Sequence, residues 1–130
     1  MQVTEFFRRD EFARLLGIEL TEVAPGFARV EMKIGREHLN GIQIAHGAAI
    51  FALADCAFAV ASNSHGRVSL GITAAISFLE AAGEGLLVAE AREVGRNRKL
   101  ATYQVEVTDE EGRRIALFQG TVYRKQEKLA

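Results

Sequence analysis

Polar and apolar residues alternate over Phe27 to Ile34, with Ala28, Val30, Met32 and Ile34 at every second position, the period of a strand with one buried face. Ile18 to Val23 lies before it across a Pro25-Gly26 turn, so the two read as a hairpin. Four more β-like stretches close the chain: Val68 to Leu79, Leu86 to Val94, Lys99 to Thr108 and Arg113 to Tyr123. Their breaks are turn-like, AAGEG and DEEG marking tight reversals and Gly95-Arg96-Asn97-Arg98 a basic hairpin corner. Between the second and third strands the pattern changes. After the irregular segment Gly35 to Ala45 comes Gly47 to Ser64, GAAIFALADCAFAVASNS, which predicts a helix ending near Gly66. Its roughly eighteen residues would span about 27 Å and be apolar on every face. Near the N-terminus, Asp10 can cap a short helix through Leu16, with Glu11 in its first turn and Gly17 as its stop.

The order is short helix, two strands, long helix, four strands, without the strand–helix alternation of a parallel βαβ fold. It fits an α+β architecture: an antiparallel sheet wrapped around one long central helix, in a single domain spanning residues 1–130. One sheet covers only part of an all-apolar helix, so a lone protomer would expose hydrophobic surface and sheet edges. Pairing with an identical copy, a homodimer at least, is the expectation.

Asp55 stands as the one charge inside the apolar helix. Burial there would disfavour its ionised form and make the carboxyl useful near neutral pH; the alternative is an Asp held in a structural hydrogen bond. Sixteen basic and seventeen acidic side chains leave a net charge of −1, so neither nucleic acid nor an anionic membrane is called for. The acid near its middle makes the helix a poor membrane span. The single cysteine, Cys56, excludes an intramolecular disulfide and a cysteine-built metal site, and it reads as packed core. MQVTEFFRRDEF lacks the features of a signal peptide, so a cytoplasmic location is expected.

His38-Leu39-Asn40-Gly41-Ile42-Gln43-Ile44-Ala45-His46-Gly47, followed by Leu53-Ala54-Asp55, resembles the signature of hotdog-fold acyl-CoA thioesterases, in particular the PaaI-type (phenylacetate-degradation) subfamily. The likeness continues through Asp55 to Ser64, Ile76 to Leu79 and Ala116 to Gly120. It implies a hotdog fold, hydrolysis of an acyl-CoA to free acid and CoA, no cofactor or metal, and a homodimer doubled to a tetramer. The acyl group favoured by the subfamily is aryl-acetyl or hydroxylated aryl-acetyl.

The resemblance also assigns roles. The Gly47 N–H, at the positive end of the central helix, would bind the thioester carbonyl as an oxyanion hole. Asp55 would act across the dimer interface, either as general base toward a water or as a nucleophile forming a mixed anhydride. Asn40 would donate to the carboxylate and accept from the water, and His46 would orient the thioester region. Two departures stand out: Ala48 replaces a second glycine common in relatives, and Gly71 occupies a position where some relatives carry a water-holding serine. Ser69 and Thr73, two residues to either side and hence expected on the same strand face, are candidates for that role. Gly71, Ile72 and Thr73 would run beside the pantetheine arm. CoA phosphates need local cations in a nearly neutral protein, and Arg96, Arg98 and Lys99 at the hairpin corner supply them; a solvated turn is the bland reading. His38 and His65 read as loop and helix-end residues. Two other functions use the same motif: a hydratase or dehydratase with His46 and Asp55 about the acyl α and β carbons, and a non-catalytic acyl-CoA sensor.

Overall fold

A computed structural model describes residues 2–130. Six antiparallel strands form one sheet in the order β1-β2-β4-β5-β6-β3: β1 (Ile18–Ala24), β2 (Phe27–Ile34), β3 (Arg67–Phe78), β4 (Gly85–Arg96), β5 (Leu100–Thr108) and β6 (Arg114–Lys128). The long helix α3 (Gly47–Asn63) leaves β2, crosses the sheet and returns the chain to the far edge as β3, touching all six strands on the way. This is the hotdog arrangement of a sheet wrapped around a helix. Small side chains under the helix, Ala28, Ala89, Ala91, Ala101 and Ala116, are fully or almost fully buried and let it sit close. Leu53, Ala57, Val60 and Ala61 from α3 join Val30, Met32, Val105 and Phe118 from the strands in the core cluster.

The predicted elements are present with small shifts at their ends. Helix α2 (Glu11–Leu16) begins where expected: Asp10 Oδ1 accepts from the Ala13 N–H at 2.9 Å, and Gly17 ends it at φ 79°, a left-handed conformation that suits a residue without Cβ. Strand β6 runs on from Tyr123 to Lys128. An additional helix, α1 (Val3–Arg8), precedes α2; Glu5 in its first turn, Arg8 in its last and the Glu5–Arg9 pair were its signals in the sequence.

The central helix is left partly open, as expected where a single sheet wraps it, and the open side matters. It is not covered on every side: Ala48, Phe51, Ala52, Asp55 and Ala59, spaced at helical intervals of three and four, remain exposed or half-exposed on one stripe. Asp55, expected to be buried, therefore faces out of the protomer. The reason is geometric, since a single sheet wraps only part of a helix's circumference. Strand β3 is an edge, and its Leu70, Ile72 and Phe78, with Leu79 just beyond, are each at least half exposed. No helix among the described residues is long and apolar enough to cross a membrane.

Candidate active site

Among the described residues, the N-terminus of α3 keeps one uncommitted donor. His46 is the N-cap; its Nδ1 accepts from the Ala48 N–H at 2.9 Å, and its carbonyl accepts from Ala49 and Ile50 at 2.9 and 3.1 Å. Among the described residues, the Gly47 N–H has no such partner, and it lies at the positive end of the helix dipole. A Cβ at Gly47 would stand 3.3 Å from Cζ of the half-exposed Phe78 ring, a tight contact that the ring would have to yield to. His46 thus acts on the helix end itself rather than lining the pocket beside it, and Ala48 keeps its donor but spends it on the cap.

That pocket has a volume of about 300 Å³ and is lined by Asn40, Gly47, Ile50, Phe78 and Leu79 among others. It is mostly apolar, with Asn40, Glu80 and the Gly47 backbone as its polar features. The loop that presents Asn40 is tied back on itself. Asn40 Oδ1 accepts from Ile42 N at 2.9 Å and Ile44 N at 3.3 Å, which fixes the amide's orientation. Both carbonyl lone pairs are thus committed, and only Nδ2 is left to donate. The expected acceptance of a water by Asn40 is corrected accordingly: Oδ1 caps its own loop, and only the Nδ2 hydrogens remain to be donated.

Asp55 does not line this pocket. Eight residues along α3 place it about 12 Å from Gly47 and roughly 80° around the helix, too far for both to act on one carbonyl carbon. Asp55 is open to solvent at its surface, but the protein crowded about it removes part of its hydration; that partial desolvation, and then the charge of Asp10, raise its carboxyl above the ordinary carboxylate range. Cys56 beside it is buried, and burial together with the Asp10 carboxylate pushes its thiol far up, so it stays protonated and is no nucleophile.

The candidates on β3 separate. Gly71 faces the helix, where a Cβ would stand 3.1 Å from Phe58 Cε2; the ring fills the space that a serine side chain would need. Ser69 lies on the same face but is buried, its Oγ donating to Arg67 O at 3.3 Å. Thr73 is on the other face. The register slips between Gly71 and Thr73, so Gly71 pairs with buried Val122 but Thr73 with Thr121, which bonds Thr102 on the outer side. Ile72 is the extra residue of this bulge, and a bulge exchanges the faces of everything beyond it. Neither Ser69 nor Thr73 replaces the missing serine.

At the hairpin corner Arg96, Arg98 and Lys99 are exposed, as expected of anion ligands and of a solvated turn alike. Asn97 Oδ1 fastens the turn by accepting from Lys99 N and Leu100 N at 2.9 and 2.8 Å. Two further arginines, not singled out in the sequence, buttress it. Arg67 donates to the Lys125, Arg98 and Arg124 carbonyls, and Arg124 to the Asn97 carbonyl. Burial and the nearby Arg67 and Arg96 charges pull Arg124 below arginine's ordinary pKa, a sign of concentrated positive charge. Arg96 also comes within 3.7 Å of Glu93 Oε2. Glu93 Oε1 receives His65 Nε2 at 2.8 Å and the Tyr103 hydroxyl at 2.9 Å, an interior network built from residues distant in sequence. His38, read as a plain loop residue, is buried and bridges the Leu16 carbonyl and the Gly35 N–H.

Comparison with known proteins identifies the family. Residues 42–116 match the family described as Thioesterase superfamily. The chain belongs to the thioesterase superfamily. The thioesterase is 48% identical over 122 residues to an Archaeoglobus fulgidus protein named as a candidate esterase, covering 93% of this chain and 79% of that one. It is 34% identical to the acyl-coenzyme A thioesterase PaaI of Escherichia coli over 119 residues, 91% of this chain and 85% of the other. The solved structure of the E. coli PaaI protein superimposes with a TM-score of 0.94 at 32% identity, covering 97% of this chain and 92% of that one. A variant of the phenylacetic acid degradation protein PaaI from Thermus thermophilus gives 0.86 at 40% identity, with 89% and 100% covered. The thioesterase is accordingly a hydrolase of the PaaI-type hotdog class.

Proposed function

We propose that this thioesterase hydrolyses the thioester of an aryl-acetyl or hydroxylated aryl-acetyl CoA, using a site built from two copies of the chain. The observation that carries the reading is the uncommitted N–H of Gly47, a residue that lines the pocket at the start of α3, with Asp55 about 12 Å further along the same helix. A carbonyl held by one Gly47 can meet only the Asp55 of another copy. The exposed stripe around Asp55 and the apolar edge of β3 are the surfaces such a pairing would cover. Pairs of dimers and a cytoplasmic location complete the proposal.

In this site the carbonyl oxygen accepts from Gly47 N–H, in line with the dipole of α3. Asn40 Nδ2 points its free hydrogens toward the approaching carboxylate or water. With Asp55 as general base, it takes a proton from water as the water oxygen bonds to the carbonyl carbon. The tetrahedral intermediate then expels the CoA sulfur, which leaves as thiolate or takes up the proton. With Asp55 as nucleophile, its oxygen attacks instead, thiolate leaves, and water cleaves the anhydride. Either route needs ionised Asp55. The acyl group lies against Ile50, Phe78 and Leu79, and the Phe78 ring suits an aromatic acyl chain. Arg96, Arg98 and Lys99 hold the CoA phosphates, and Gly71, Ile72 and Thr73 border the pantetheine.

A thiol-release assay over short, long and aromatic acyl-CoAs tests this reading, run on wild type and Asp55→Asn. Aryl-acetyl CoA should be preferred, and the variant should lose at least about 10²-fold in kcat while still binding substrate. Turnover near wild type in Asp55→Asn would sink it.

A further inference from the structure

We propose that Asp10, at the head of α2, is a positioning residue for Asp55: its carboxylate anchors the N-terminal helices against α3 and holds a second negative charge beside the residue that precedes Cys56. The proposal rests on the reading of Asp55 as the acting acid. Each oxygen of Asp10 is occupied. Oδ1 caps α2 through the Ala13 N–H at 2.9 Å, and Oδ2 lies 3.7 Å from Cys56 Sγ on α3. Cys56 directly follows Asp55 and keeps its proton, so the contact is a thiol donating to a carboxylate. Held at both ends, Asp10 cannot swing away from α3 without losing its cap and its thiol partner. A second carboxylate is thus fixed close to Asp55.

The groups that face Asp55 are few. Asp10 comes from the N-terminal helices and Cys56 from α3 itself, while the sheet lies under the other, buried side of α3, where Val30, Val105 and Phe118 are apolar. No cation offsets Asp10 in the effect on Asp55 among the described residues. Like charges oppose joint ionisation, so Asp10 favours the protonated form of Asp55 and strengthens it as a base once ionised. Conserving the cap while removing the charge separates this role from mere scaffolding, and Asn and Ser both cap helices as well as Asp does.

The test measures kcat/KM against pH for wild type, Asp10→Asn and Asp10→Ser in the full-length protein, with an aryl-acetyl N-acetylcysteamine thioester that carries no titrating phosphate. Circular dichroism verifies that each variant is folded. Both variants should move the acid limb to lower pH by about 0.5 unit or more, the gap from wild type narrowing at high salt. Folded variants whose acid limb stays at the wild-type pH, or moves up, overturn the proposal, including when activity falls equally at all pH values. Asp55→Asn in the same assay separates the two failures. If it is inactive and the limb does not move, Asp10 alone is misassigned; if it retains wild-type turnover, the proposed function fails with it.

Discussion

Gly120 lies beneath the ring of Phe58: a Cβ on Gly120 would stand 2.7 Å from Cζ and 2.9 Å from Cε1 of that ring. Phe58 in turn leans on Phe118 and Tyr103, with ring centroids at 5.3 and 6.0 Å, so it has little room to retreat. Strand β6 therefore gives up a side chain for helix α3 to seat an aromatic ring. Gly120→Ala should destabilise the protein by about 1–3 kcal/mol through overpacking. Adding Phe58→Leu to Gly120→Ala should cost less than the sum of the two single changes. Urea unfolding of the two single variants and the double, at fixed protein concentration, checks it; additive effects would show that the ring yields freely.

Asp55 should exchange stability for activity. Partial desolvation and Asp10 raise its carboxyl pKa in the folded protein, so the unfolded chain gives up this proton at lower pH than the folded one. Stability therefore falls as pH rises from the ordinary carboxylate range through the raised folded value, and stays lower above it. Asp55→Asn removes the ionising group, and should melt higher than wild type near pH 8 with the difference shrinking near pH 4. Thermal melts at both pH values and one protomer concentration decide, and an Asn variant that melts lower at pH 8 would contradict the sign.

Glu93 should behave in the opposite sense. Burial opposes its charge, but hydrogen bonds from His65 and Tyr103 and the Arg96 charge outweigh that and hold the carboxyl below its ordinary value. Such a group stabilises above the ordinary carboxylate range, and the contribution is lost as pH falls through the depressed folded value. Glu93→Ala leaves the buried Tyr103 hydroxyl without its acceptor, so it should cost about 1–3 kcal/mol near pH 7. The loss should be smaller near pH 3, where the wild type has also given up part of this interaction. Denaturant titrations at the two pH values measure the contrast.

The basic corner makes a kinetic prediction. Replacing Arg96, Arg98 and Lys99 with Ala should raise KM for acyl-CoA and change kcat little, because the phosphates are remote from the reacting carbonyl and interact alike in ground and transition states. Hydrolysis of the matching N-acetylcysteamine thioester should barely change. Equal loss on both substrates would reduce the corner to a turn.

Element type and order were legible in the chain because they rest on local periods: two for Ala28 to Ile34, an uninterrupted apolar run for Gly47 to Ser64, and the Asp10 cap three residues before its Ala13 partner. The residues of the candidate site were legible through their resemblance to a family, with Asn40, Gly47 and Asp55 at the matching spacing. What the tertiary structure decided is relational. Which stripe of α3 stays open depends on how far one sheet reaches around it, and that put Asp55 outside rather than inside. Thr73 left the face of Gly71 because the register slips against β6, a property of two strands that no single strand's alternation contains. Asn40 lost its acceptors to its own loop, and Glu93 gained His65 and Tyr103 from 28 and 10 residues away. A sequence determines such features only through the packed whole, since their energies come from neighbours that folding brings together.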